Sequence, residues 1–155
     1  MKIFLLLGAL AALSLTYAQE PAAETAPKEP TVDERAVHAA IEDYVLAFYR
    51  AEPERLERSM SPAMKKMGYW RSSPDEAYSE ALHMTYEQAC ELAGSWNAEG
   101  QQGEDLEYSI ELYEVCDKTA CGKVTAKWGQ DYFQLAKEEG GWRIHHVIWQ
   151  SAPPQ

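Results

Sequence analysis

The sequence predicts an α+β domain in which N-terminal helices pack on one face of a strongly curved antiparallel sheet. Apolar residues recur at three- and four-residue steps from Val37 to Phe48 and again from Tyr86 to Trp96, the spacing that gathers side chains on one helix face. After Gly103 the period drops to two, as in half-buried strands. Helices first and strands afterwards is the order of an α+β fold rather than of alternating βαβ units. With 155 residues, 46% of them apolar and 11% aromatic, the chain has the material for one domain with a real core.

Each element has a local reason. Val37, Ala40, Ile41, Tyr44, Val45 and Phe48 form the buried stripe of the first helix, with Thr31 and Glu34, or Asp33, placed to cap its start. Pro53 suits the opening of a short second helix with Leu56 and Met60 on its apolar edge, and Pro62 ends it. Thr85 and Gln88 make a capping box for a third helix that carries Ala89, Cys90, Ala93 and Trp96, with Gly100 as its stop. Tyr108, Ile110 and Leu112, then Val124, Ala126 and Trp128, alternate with polar residues as two strands. Gln130–Lys137 and Trp142–Gln150 read as two more, joined by Glu138-Glu139-Gly140-Gly141, whose glycines supply the positive φ of a hairpin.

Residues 1–18 stand apart from the fold. Lys2, the apolar run Ile3–Leu13 and the small-residue site at Thr16-Tyr17-Ala18 read as a secretory signal peptide, which implies a secreted or periplasmic protein with no membrane attachment after cleavage. The run is too short for a transmembrane helix. Residues 19–34, rich in Pro, Ala and Glu and without an aromatic residue, read as a flexible spacer, leaving 35–151 as the folded domain. A net charge of −11 argues against nucleic acid or an anionic membrane as partner. The sequence has no phosphate-binding glycine loop, nucleophile elbow or HExxH spacing, and suggests neither a metal nor an organic cofactor.

Cys116 and Cys121 flank a turn-like tetrapeptide between two strands, and in an oxidising compartment they are expected to form a disulfide, with Cys90 left as a buried thiol. His145 and His146 are neighbours on a strand and point to opposite faces, so they do not chelate one ion. Lys65-Lys66 reads as a basic patch too small to matter.

Ala40-Ile-Glu-Asp-Tyr44, Ser61-Pro-Ala-Met-Lys-Lys-Met-Gly-Tyr-Trp-Arg71, Met84-Thr-Tyr86, Trp96-Asn97, Trp128-Gly-Gln-Asp-Tyr132, Leu135-Ala-Lys137 and Gly141-Trp-Arg-Ile144 through Trp149-Gln150 follow one another in an order that resembles the putative lumazine-binding family of the NTF2-like (SnoaL-like) superfamily. The resemblance implies a cystatin-like cone of helices on a curled sheet. Two positions depart from it: Ser61 stands where members often have His, and Ala63 where they often have Asp.

A pocket of such a cone is walled by the first helix and the sheet. The candidates to line it are Tyr44, Phe48, Trp70, His83, Trp128, Asp131, Tyr132 and His146, with the Ser72–Met84 loop at the mouth and polar tips orienting a small, partly apolar molecule. On this reading the Tyr44 hydroxyl contributes to the ligand and little to stability. Residues 131 and 132 face opposite ways, so at most one enters from that strand, and Trp128, Tyr132 and His146 share a face only if no bulge intervenes. The resemblance also implies two alternatives: an isomerase or cyclase, in which, as in NTF2-like isomerases, a carboxyl and a phenol in the same cone act as base and oxyanion donor, and a homodimer through the exposed sheet face.

Overall fold

The computed structural model describes residues 28–103 and 105–152. The proposed signal peptide and residues 19–27 of the spacer lie outside the described residues. Three helices, α1 (Val32–Tyr49), α2 (Glu54–Ser59) and α3 (Tyr86–Trp96), pack on one face of a curled, unclosed sheet of β1 (Met60–Tyr69), β2 (Leu82–Met84), β3 (Tyr108–Val115), β4 (Thr119–Ala126), β5 (Gly129–Glu138) and β6 (Gly141–Ser151). The strands lie in the order β2-β1-β6-β5-β4-β3. The α+β class and the four late strands are as the sequence predicts. Two strands are additional, because Pro62 sits inside β1 instead of closing a helix, and β2 occupies the end of the stretch read as a loop.

The sheet also contains one parallel pairing, between β1 and β6, where the sequence suggested only antiparallel ones. Parallel neighbours need a long crossover, and here it runs through α3 and the four intervening strands.

Local chemistry sets the helix limits. Thr31 and Glu34 form the capping box of α1, and Thr85 and Gln88 that of α3. Helical structure therefore begins at Val32, within the stretch assigned to the spacer. α1 ends in a Schellman arrangement: the Glu52 N–H donates to the Ala47 carbonyl at 3.0 Å, and Ala51 takes the left-handed conformation at φ 53°. α3 stops at Trp96, short of Gly100, because Asn97 leaves the helix and donates to the Tyr49 carbonyl at 2.6 Å. At the β5–β6 turn it is Gly141, at φ 116°, that takes the positive φ.

The core lies between α1 and the concave face of the sheet. Val37, Ile41, Tyr44, Val45 and Phe48 meet Val124, Phe133, Leu135, Ile144 and Val147. Gly122 lets α1 approach β4 closely, since a Cβ there would stand 3.0 Å from the Ile41 side chain and 2.8 Å from the Glu111 carbonyl oxygen.

The expected Cys116–Cys121 bond is not formed, and both residues are free thiols. The Cys116 N–H donates to the Thr119 carbonyl at 2.9 Å, and Cys121 lies opposite Glu114, so the two cysteines are diagonal and not facing partners. Diagonal neighbours are typically about 7–8 Å apart, beyond the usual span of about 4.4–6.8 Å between bonded Cα atoms. Cys90 is also free; it is half-buried beside Tyr86, and burial pushes its thiol up from the ordinary value.

Candidate functional site

The open end of the cone holds a cavity of about 320 Å³ between α1, α3 and the sheet. Helical spacing of four puts Tyr44 and Phe48 one above the other on the inner face of α1, their rings 5.1 Å apart. The two-residue β4–β5 turn places Trp128 at the mouth, where its ring lies 5.8 Å from Phe48 and 5.3 Å edge-on to Trp96 of α3. Leu92 and Met84 complete the apolar wall.

The floor is polar. Asp131 on β5 is fully buried, and its Oδ2 accepts hydrogen bonds from the Tyr44 hydroxyl at 2.8 Å and the Trp128 indole N–H at 3.2 Å. Lys66 on β1, also buried, donates to the Tyr44 hydroxyl oxygen, so the phenol links the ammonium to the carboxylate. The Lys66 Nζ lies 5.0 Å from the Tyr44 ring centre, 5.1 Å from that of Phe48 and 5.9 Å from that of Trp149. Two buried polar atoms of cavity-lining residues, Asp131 Oδ1 and Trp149 Nε1, make no hydrogen bond to the described protein.

Burial dominates the titration of these groups. It raises Asp131 above the ordinary carboxylate value, against the opposing pull of Lys66, Tyr44 and Trp128. It lowers Lys66, which Asp131 partly counteracts. Tyr44 is driven well above the usual phenol range by burial and then by the nearby Asp131. Removing charge from water without full compensation favours the neutral forms on both sides of the phenol.

The structure thus brings together Tyr44, Phe48, Trp128 and Asp131 from the sequence-derived set, with Trp70 at the rim, 51% exposed. It separates the other three. Tyr132 alternates with Asp131 and therefore points outward, 43% exposed. His146 is turned outward by a β-bulge in β6: Ile144 pairs with Leu135 and His146 with Gln134, leaving His145 as the extra residue. The bulge reverses parity, so Ile144, Val147 and Trp149 face inward while His146 and Ile148 face solvent. His83 is exposed on β2, opposite Met67, and does not reach the cavity. Of the Ser72–Met84 stretch only Met84 lines it.

Lys66, Trp96 and Trp149 also line the cavity, although none of them is among the candidates chosen from the sequence. A Lys-Lys pair reads as solvated, yet Lys66 alternates on β1 with Met64 and Gly68, and that face is the inner one. Gly68 was the available signal: it lies opposite Trp149, and an added Cβ would fall 2.2 Å from the indole nitrogen, so the indole rests on the strand only because position 68 is glycine.

Among the described residues no cluster of three His, Cys, Asp or Glu side chains is arranged to hold a metal ion, and no helix is long and apolar enough to cross a membrane.

Comparison with known proteins agrees with the fold. An NTF2-like protein of unknown function from Silicibacter pomeroyi superposes with a TM-score of 0.62 at 21% identity, covering 76% of this chain and 93% of its own. A domain with a cystatin-like fold from Nostoc punctiforme gives 0.58 at 15% identity over 79% of each chain, and an NTF2-like protein from Shewanella baltica gives 0.58 at 15% over 81% of this chain and 99% of its own. No curated protein matches the sequence. A family profile described as "Putative lumazine-binding" matches residues 32–150, which takes in all three helices and all but the last residue of the sheet. The chain belongs to that family and carries the NTF2-like fold.

Proposed function

We propose that this is an exported domain that binds a small, flat, partly apolar molecule in the cavity above Asp131 and Lys66. The observation that carries the reading is the contrast between wall and floor. Phe48, Trp96, Trp128 and Trp149 offer aromatic surface, while Asp131 Oδ1 and the Trp149 indole N–H are buried without a partner among the described residues. Buried polar atoms are normally paired, and a ligand with one donor and one acceptor on its edge would pair both. The family description supplies lumazine, a flat heterocycle with such an edge, as a probe of the cavity. Export rests on the character of residues 1–18 alone.

The test is titration of the protein with lumazine, followed by tryptophan fluorescence. Saturable quenching that Asp131→Asn weakens by about tenfold or more is expected, the loss of one hydrogen bond to a buried carboxyl. Quenching that is absent, or unchanged by Asp131→Asn, overturns the reading.

An isomerase in the same cone is less well supported. Its oxyanion donor would be Tyr44, whose single hydroxyl proton is already given to Asp131. The outer sheet face favours self-association instead. Met67, Ile148, Tyr132 and Lys123 lie side by side across four strands, with Tyr113 nearby, and Tyr132, Ile148 and Tyr113 are all exposed. We infer that this face pairs with a second copy, leaving the cavity mouth open. Sedimentation should find a dimer that Ile148→Lys converts to monomer; a monomeric wild-type protein refutes it.

A further inference from the structure

We propose that Lys66 is a carbonyl-reactive amine, which condenses reversibly with an aldehyde or ketone group of the molecule held in the cavity. The inference rests on the cavity being a binding site and names the ligand class that its floor selects. Lys66 lines the cavity from the middle of β1, 7% exposed, and its hydrogen bond goes to Tyr44 and not to the carboxylate. A lysine kept only to neutralise Asp131 would touch it; here the phenol stands between them, and the rest of the ammonium faces the rings of Tyr44, Phe48 and Trp149.

The three groups form a proton path. Lys66 donates to the Tyr44 oxygen while Tyr44 donates to Asp131, so one proton can leave the ammonium as another reaches the carboxylate, and the phenol ends as it began. This leaves a neutral amine beside a protonated acid, the forms that burial of both groups favours. The amine lone pair then forms a C–N bond to the carbonyl carbon, and the carbonyl π pair moves to oxygen, which takes up a proton to give a carbinolamine. The C–O bond breaks, the oxygen leaves as water carrying the second proton taken from nitrogen, and a C=N bond remains. Amine and carbonyl give imine and water, with no change of oxidation state and no further reactant. Asp131 and Tyr44 hold and return the protons at either stage. The aromatic wall selects a flat carbonyl compound.

The full chain is incubated at neutral pH with benzaldehyde and sodium cyanoborohydride, which reduces the imine to a stable benzylamine, and the modified lysines are located by peptide mass mapping. In parallel, benzyl alcohol, which has the same ring and cannot condense, is titrated against tryptophan fluorescence. Labelling of Lys66 at least about tenfold faster than of the exposed Lys65 and Lys118 is expected, equivalent to about 1.4 kcal/mol in barrier. Lys66→Arg, which keeps the positive charge and has no amine able to condense, should lose the fast adduct. Saturable binding of benzyl alcohol with Lys66 labelled no faster than Lys65 and Lys118 overturns the proposal and leaves the binding reading standing. Neither binding nor fast labelling overturns both.

Discussion

Replacing Tyr44 by Phe removes one oxygen from the centre of the polar floor and leaves two buried partners exposed to each other's loss. Asp131 forfeits its hydrogen bond of 2.8 Å and Lys66 its acceptor, where the sequence suggested a hydroxyl of little consequence for stability. Tyr44→Phe should therefore lower unfolding free energy by about 1–3 kcal/mol, the usual cost of stranding buried polar groups, read from the midpoint of urea unfolding. An unchanged midpoint would mean that the phenol does not bridge the pair. Asp131 provides a second test. Its folded carboxyl titrates above the ordinary 3.8 because it is buried. The native state therefore holds a proton that the unfolded chain has already released, and the stability contributed by Asp131 falls as pH rises from about 3.8 towards the raised value. Compared across that window, wild type should lose stability relative to Asp131→Asn, and the two pH profiles should run parallel above and below it. Parallel profiles throughout would show that Asp131 titrates as an exposed acid.

At the scale of elements, the helix starts and hairpins could be read from the chain because they depend on neighbours in sequence. Thr31 with Glu34, Thr85 with Gln88, and the glycines before Trp142 act within a few residues. What could not be read depends on contacts across the fold. β1 becomes a strand because it pairs with β6, about eighty positions further on, and that pairing overrides the helix-ending reading of Pro62. The bulge at His145 has no local signature, yet it decides that Trp149 enters the cone and His146 leaves it. Asp131 was assigned to the pocket while Tyr132 was not excluded, since strand parity separates the two but does not say which faces inward. Ala51 gives a test at this scale. It holds the position after α1 at φ 53°, where a Cβ is strained and glycine is usual. Ala51→Gly should raise stability by about 1 kcal/mol, seen as a higher Tm, and a loss of stability would show that the Schellman turn is not what ends α1.

Over the whole molecule, two faces of one sheet do different work. The concave face, covered by α1, supplies the core and, at its open end, the aromatic cavity; the convex face presents Tyr132 and Ile148 to solvent beside a half-buried Met67. The charge of −11 bears on neither, since the cavity floor pairs one buried lysine with one buried aspartate. The class of fold followed from the order of helical and strand periods, whereas the site depended on which side chains the curled sheet turned inward. The most direct test of the cavity as the binding site is native mass spectrometry of the protein isolated from its own host, run on wild type, Asp131→Asn and Ile148→Lys. Wild type and Ile148→Lys should each carry a small molecule that Asp131→Asn has lost, whereas a molecule retained by Asp131→Asn and lost by Ile148→Lys would place binding on the convex face and contradict the assignment.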